Sequence, residues 1–233
     1  MVLRLGLILP SSNTTMEPEF SNMLPRNITV HTARIRLRRV TVRELTRMER
    51  DLTRATGELS DAGVVVIGYG CTSGSLVKGI GHDQRIVAKI ERISNIPSVA
   101  TAGSVVRALK ALGAKKVAVA TPYAKEINER ERDFLTGNGF TVVDMKGLGL
   151  VNNAEIGIQD PAVAYSLARQ LRHAKADAVL ITCTNLRTVE VIQRLEEELG
   201  KPTISSNTAT LWAMLRKVGI KTRVHGVGRL LAI

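Results

Sequence analysis

Apolar residues along this chain fall in short unbroken runs rather than alternating with polar ones. Leu5-Gly6-Leu7-Ile8-Leu9, Val64-Val65-Val66-Ile67, Val117-Ala118-Val119-Ala120 and Ala178-Val179-Leu180-Ile181 are the clearest. Runs of this kind suit strands of a parallel sheet covered on both faces, where neither side meets water. The segments between them carry helical signals. Thr41 followed by Glu44 reads as a capping box, and Leu45, Met48, Leu52, Ala55 and Leu59 form one apolar stripe. Gly63 marks the turn into the next strand. Asp160-Pro161 predicts a helix running to about Ala174, and Thr188 to Leu199 predicts another, stopped by Gly200. Arg223 to Gly228 reads as a closing strand. Strand and helix alternate, so the expected class is α/β.

The order of these segments repeats. The first strand ends in Pro10 and its counterpart in Pro122, 112 positions later. Val64–Ile67 runs into Gly70-Cys71-Thr72, and Ala178–Ile181 into Thr182-Cys183-Thr184, again with 112 positions between the cysteines. Asn95-Ile96-Pro97, before a helix ending at Gly113, matches Lys201-Pro202-Thr203, before one ending at Gly219. Here the offset slips to 105–106, as a small loop deletion would produce. The period is far longer than the ~20–50 residues of solenoid repeats. The expectation is two similar flavodoxin- or Rossmann-like domains with parallel sheets, related by a pseudo-twofold axis, with an active site in the cleft between them. Residues 1–98 with about 207–233 would form the first domain and about 99–206 the second.

Composition narrows the class. The chain has 233 residues, 44% of them hydrophobic, enough to bury a sizeable core. No apolar run approaches the ~18–20 residues of a membrane span. Met1 to Pro10 is too short for a signal peptide, so a cytoplasmic protein without membrane contact is expected. Net charge is +12, and much of the excess lies between Arg34 and Arg54. Aromatic residues are only 3% of the chain and none interleave with those arginines, so stacking platforms for single-stranded nucleic acid are lacking. The stretch reads as a solvated basic face, with Arg34 to Arg39 as a half-exposed strand alternating with Ile35 and Leu37. Nucleic acid is therefore not an expected partner. Two cysteines are too few for a structural zinc site of about four ligands, and the histidines do not cluster near them. No metal is expected.

Chemistry points to those cysteines. In an open parallel sheet, ligands bind beyond the carboxyl ends of the strands. Cys71 and Cys183 each follow an apolar strand and precede a predicted helix, in loops of small and hydroxylated residues. Free N–H groups at such helix starts suit a carboxylate, and the same field is expected to lower a thiol pKa. A single buried cysteine usually packs as a small hydrophobe. Two at equivalent points of a duplicated chain form a symmetric pair facing across a cleft. One thiolate could remove a proton while the other thiol returns one to the opposite face, which is racemisation. Alternatively, one thiolate could add to an activated double bond, allow rotation and leave again.

Beside the two cysteine loops stand Leu9-Pro10-Ser11-Ser12-Asn13-Thr14-Thr15-Met16-Glu17, His31-Thr32-Ala33-Arg34, Asn153-Ala154-Glu155-Ile156-Gly157 and Ser205-Ser206-Asn207. On these residues the chain resembles the aspartate/glutamate racemase superfamily. Within it, the sequence is most similar to the maleate cis–trans isomerases and the neighbouring arylmalonate decarboxylases. The resemblance implies Cys71 as nucleophile and Cys183 as acid/base partner, acting without a cofactor. It implies that Asn13 and Tyr123 hold the substrate carboxylates. Asn153, or Asn152 beside it, would add a hydrogen bond, and groups around Thr72, Ser73, Thr184 and Asn185 would complete the cradles. It also implies a small dicarboxylate substrate and a homo-oligomer, dimer or tetramer. Local readings remain beside these roles. Asn13 is a good helix cap, Tyr123 could be a turn residue, His82 reads as a surface loop residue, and Ser206 and Asn207 as caps. Arylmalonate decarboxylases typically carry glycine at the first cysteine position. Amino-acid racemases act on an ammonium group, and no carboxylate lies in either cysteine loop. Maleate-to-fumarate isomerisation is thus the expected activity. Racemisation of an amino or related acid, arylmalonate-type decarboxylation and a non-enzymatic bilobal binder are the alternatives.

Overall fold

A computed structural model describes residues 2–233. The first half runs β1 (Leu3–Pro10), α1 (Met16–Met23), β2 (Ile28–Ile35), α2 (Val42–Arg47), α3 (Leu52–Asp61), β3 (Val66–Tyr69), α4 (Thr72–Leu76), α5 (His82–Ser94), β4 (Ser98–Ala100) and α6 (Thr101–Ala111). The second runs β5 (Lys116–Tyr123), α7 (Lys125–Gly137), β6 (Thr141–Leu150), α8 (Asn153–Gly157), α9 (Pro161–Arg169), β7 (Ala178–Ile181), α10 (Val189–Leu199), β8 (Thr203–Ser205) and α11 (Ser206–Lys217).

Each half builds a four-stranded parallel sheet, in the orders β2-β1-β3-β4 and β6-β5-β7-β8. The repeat survives at the level of register. Leu5 pairs with Val66, and Val117 with Ala178, each residue moved by 112. Ile67 pairs with Ser98 and Val179 with Thr203, which localises the slip between β7 and β8. The first half carries the short helix α4 in that stretch; the second carries an irregular turn there.

The two halves share their last helices. α6 follows β4, yet Ala102, Val105 and Leu109 pack in one cluster with Val117, Val119 and Leu180 of the second sheet. α11 follows β8, yet Leu211, Met214 and Leu215 pack with Leu5, Leu7, Val66 and Val99 of the first. A Cβ on Gly68 of β3 would lie 2.7 Å from Met214 Sδ, so glycine is what lets α11 lie this close to the sheet. α6 and α11 also pack on each other, and hydrogen bonds from Thr184 to the Gly70 carbonyl and from Thr72 to Ser206 join the carboxyl ends of the two sheets.

Several expectations need correction. The stripe from Leu45 to Leu59 is buried throughout, but a 3₁₀ turn at Met48–Asp51 divides it into α2 and α3. Thr41 caps α2 through Glu44 N–H, while the Glu44 carboxylate turns back to Arg38 N–H and Arg39 N–H rather than closing the box. β2 ends at Ile35, so the strand does not continue to Arg39. α9 stops at Arg169, because the chain bends to place Arg172 N–H on the Asp144 carboxylate at 2.8 Å. Arg223 to Gly228 is not a strand. Gly226 and Gly228 take φ values of 81° and 84° there, and a 3₁₀ turn follows at Arg229–Ala232. No helix among the described residues is long and apolar enough to cross a membrane.

Candidate active site

The sheets bring the expected residues to one place. Cys71, Cys183, Asn13, Thr72, Ser73, Tyr123, Asn153, Thr184 and Asn185 are all buried, none more than 4% exposed. Both cysteines are free thiols. A dense set of hydrogen bonds holds these loops, within the second half and across to the first. Ser206 Oγ accepts from Thr72 Oγ1 at 2.8 Å and from Cys183 N–H at 3.1 Å. Thr184 Oγ1 donates to the Gly70 carbonyl and accepts from Asn13 Nδ2, both at 3.0 Å. Asn185 Nδ2 donates to the Asn153 carbonyl at 2.7 Å.

The two cysteines are held differently. Cys71 has extended backbone and caps α4, its Sγ accepting Gly74 N–H at 3.2 Å. Cys183 takes φ = 88°, a left-handed conformation that a non-glycine residue adopts only at a cost of about 1–3 kcal/mol. That turn stops a helix from starting at once, and α10 begins only at Val189. The expected helix start after each cysteine is therefore present only after Cys71. Around Cys183 the donor is Asn185 N–H, 3.4 Å from Sγ.

The expected lowering of the thiol pKa is also overturned. Burial pushes Cys71 up to about 11, against the opposing pull of Gly74 N–H and the Ser73 hydroxyl. Burial pushes Cys183 up to about 12, opposed by Asn185 N–H and the Tyr123 hydroxyl beside it. A few backbone dipoles do not replace the water that both thiols have lost.

The ambiguous positions separate. Asn152 sits at the surface, capping α8 through Ala154 N–H. Asn153 is buried, donates from Nδ2 to Ser12 Oγ at 2.9 Å and is the one facing Asn185. Asn13 combines both of its readings. Its Oδ1 accepts Thr15 N–H and Met16 N–H, while Nδ2 reaches Thr184. Tyr123 is not a turn residue; it ends β5 with its ring buried. His82 is not at the surface either. It is 2% exposed, its ring packed beside the Gly74 backbone and its Nε2 3.3 Å from the Glu49 carboxylate.

Tyr69, Glu131 and Glu19 have no signal of their own in the sequence, whereas Asn207 belongs to the Ser205-Ser206-Asn207 stretch that reads there as a cap. Tyr69 is fully buried, and its hydroxyl has no hydrogen-bond partner among the described residues. The position a Cβ would take on Gly74 lies 2.9 Å from Cys71 Sγ and 3.0 Å from that hydroxyl, so phenol and thiol flank one small gap. Each thiol thus has a buried tyrosine at its side, Tyr69 by Cys71 and Tyr123 by Cys183. Glu131 is buried behind Thr182, which donates to it at 3.1 Å, and burial raises its pKa to about 8. Glu19 reaches across from α1 to accept Thr188 N–H at 2.6 Å and Val189 N–H at 3.1 Å at the start of α10, and burial raises it to about 7. Asn207, beyond the capping residue Ser205, joins Glu19 to the Thr184 carbonyl and so supports the Cys183 loop. No group of three or more His, Cys, Asp or Glu able to hold a metal occurs among the described residues.

Two interlocked parallel α/β lobes closing on a facing pair of buried thiols define a paired-thiol α/β enzyme. The chain belongs to the arylmalonate decarboxylase family, whose model matches residues 5–231. It is 32% identical to a maleate isomerase from Geobacillus stearothermophilus over 98% of this chain and 97% of that protein. A maleate isomerase from Pseudomonas putida, solved with maleate, superposes with a TM-score of 0.94 at 33% identity, over 100% of this chain and 98% of that one. A cysteine-to-serine mutant of the Nocardia farcinica maleate cis–trans isomerase, carrying a covalently bound succinylcysteine intermediate, superposes with a TM-score of 0.95 at 29% identity, over 100% and 99%.

Proposed function

We propose that this chain converts maleate to fumarate by thiol addition and elimination. Cys71, as thiolate, attacks one alkene carbon; the S–C bond forms as the π bond opens. The neighbouring carbon takes the proton of the Cys183 thiol, giving a succinyl thioether on Cys71 with a freely rotating C–C bond. After rotation the Cys183 thiolate removes a proton from that carbon, the double bond re-forms, and Cys71 leaves as thiolate. No atom is gained or lost over the cycle.

The observation that carries this reading is the pair of buried thiols at the ends of β3 and β7, close enough to influence one another and each with a backbone N–H on its sulfur. The unequal settings support the division of labour. Cys71 caps α4 with its sulfur accepting Gly74 N–H at 3.2 Å, a helix start that suits an anion, whereas Cys183 sits in a left-handed turn with no helix beginning behind it. Once Cys71 is ionised, like-charge repulsion keeps Cys183 protonated, as an acid must be. Asn13, Tyr123 and Asn153, with the polar groups of Thr72, Ser73, Thr184 and Asn185, would hold the two carboxylates. An amino-acid substrate fits less well, because neither cysteine loop offers a carboxylate to an ammonium group, and burial raises the two carboxyls behind the Cys183 loop, Glu131 to about 8 and Glu19 to about 7. The helix exchange supports a division into residues 1–98 with about 207–233, and about 99–206.

The test is to incubate the purified protein with maleate under reducing conditions, without added metal or nucleotide, and follow fumarate by proton NMR. Turnover is expected. Its absence would overturn the proposal, and so would near-normal activity of Cys71→Ala. Release of carbon dioxide from arylmalonates would instead favour decarboxylation.

A further inference from the structure

Every residue assigned around the thiols is buried, so substrate must pass between the lobes to reach them. The lobes are strapped together beside the site. Asn153 N–H donates to the Arg38 carbonyl at 2.9 Å, Val40 N–H donates to the Val151 carbonyl at 2.7 Å, and Arg39 pairs with Asn152 in an antiparallel bridge. Against this strap lies a groove of about 1190 Å³, lined by Arg36, Arg38, Arg39, Arg47, Arg50 and Ser12 among others. Ser12 belongs to the groove and to the site wall alike. Its hydroxyl accepts Asn153 Nδ2 at 2.9 Å and its carbonyl accepts Asn185 Nδ2 at 3.4 Å.

The charge in this groove is unbalanced. None of the five arginines has a carboxylate within 4.0 Å among the described residues, whereas eight arginines elsewhere do. Three acids also line it, Glu44, Asp51 and Glu155. Two of them are already engaged, Glu44 by the backbone of Arg38 and Arg39 and Glu155 by Asn152 Nδ2. A smaller hollow of about 440 Å³ beside Tyr123 carries less charge, with Lys125 paired to Glu129 and Arg132 donating to the Val142 carbonyl. Five of the eight arginines between Arg34 and Arg54, the stretch that reads in sequence as a solvated face, are therefore gathered around one concavity.

We propose that the arginine groove is a vestibule that collects the dicarboxylate substrate and delivers it to the strap. Fitted ligand pockets span about 300–1,000 Å³, and a four-carbon diacid needs far less than this groove offers. The groove is thus too wide to clamp such a molecule; it acts by its field, which in a charged cleft can raise association rates by roughly 10–10³. This inference rests on the proposed dicarboxylate chemistry.

The experiment compares the native protein with a triple variant, Arg36→Gln, Arg47→Gln and Arg50→Gln. All three side chains are exposed, and Arg38 and Arg39 are spared because their backbone carries the strap. A control of equal charge change, Lys110→Gln, Lys115→Gln and Lys221→Gln, lies elsewhere on the surface. At low ionic strength, kcat/KM for maleate is expected to fall about tenfold in the arginine variant, with kcat unchanged, and its salt dependence to flatten. The lysine control should stay near native. Equal kcat/KM and equal salt slopes for both triples would overturn the vestibule, as would a fall in kcat alone. Calorimetric titration with succinate, an inert diacid, keeps the test independent of turnover. Binding weakened only in the arginine variant supports the vestibule, and unchanged binding overturns it. A native protein that binds succinate in this way but does not isomerise maleate would refute the isomerase reading and leave the groove standing.

Discussion

Cys71 and Cys183 occupy matching points of a duplicated chain, yet one is held in extended backbone and the other in a left-handed turn. Both thiols are neutral at rest, since burial pushes them to about 11 and about 12. The free enzyme must therefore lose one proton before it can attack. The thiolate fraction of Cys71 rises about tenfold per pH unit below its pKa, so log(kcat/KM) for maleate is expected to climb with a slope near one from pH 6 to 9. A profile flat across that range would show that Cys71 is already ionised. Gly74 gives a second expectation. A methyl there would press on Cys71 Sγ and on the Tyr69 hydroxyl, so Gly74→Ala should cut kcat/KM by about 100-fold while costing about 1–3 kcal/mol of stability. Activity assays paired with thermal melts separate the two effects. The cysteines were legible in sequence because two identical residues at one offset stand out from a chain that has no others. Tyr69, Glu19 and Glu131 were not. Glu19 and Glu131 meet their partners more than 50 residues away, which no local spacing marks, and Tyr69, two positions before Cys71, reads as an ordinary apolar strand residue.

At the scale of elements, the repeat predicted the sheets down to the 112-residue spacing of their register. What failed were ends and insertions. α4 has no counterpart in the second half, α9 ends early, and the closing strand is replaced by a loop with two left-handed glycines. Each outcome depends on tertiary contacts or on backbone angles that apolar periodicity does not encode. α7 carries a group with a measurable consequence. Glu131 is raised from its ordinary 4.5 to about 8 in the folded protein. Below pH 4.5 it is protonated whether folded or unfolded and costs nothing. Between 4.5 and 8 the unfolded chain ionises it while the fold keeps it neutral, so stability falls as pH rises, and the loss is complete above pH 8. Glu131→Gln keeps an acceptor for Thr182 and cannot ionise. It is expected to be more stable than the native protein at pH 9, by an amount on the order of a few kcal/mol, and to match it near pH 4. Chemical denaturation at both pH values checks this. A difference independent of pH would show that Glu131 is already charged in the fold.

For the whole molecule, the exchange of α6 and α11 decides how the lobes behave. Each sheet is covered by a helix that follows the other half's last strand, and the two helices pack together between the lobes. Removing α11 would leave Leu5, Leu7, Val66 and Val99 of the first sheet facing water. At ~25 cal/mol per Å² of apolar surface, uncovering that face costs more than a marginally stable half can bear. The hydrogen bonds from the Thr72 hydroxyl to Ser206, and from Thr188 N–H to Glu19, cross the same boundary. The duplicated chain is therefore expected to unfold as one cooperative unit rather than as two domains in succession. Scanning calorimetry should give a single transition whose calorimetric and van't Hoff enthalpies agree. A polypeptide of residues 1–98 alone should lack a cooperative transition, and adding residues 99–233 as a separate chain should restore it. Two resolved transitions in the full chain, or a stably folded 1–98 fragment, would mean that the lobes hold without the exchanged helices. The cleft between them would then be free to open without disturbing either core.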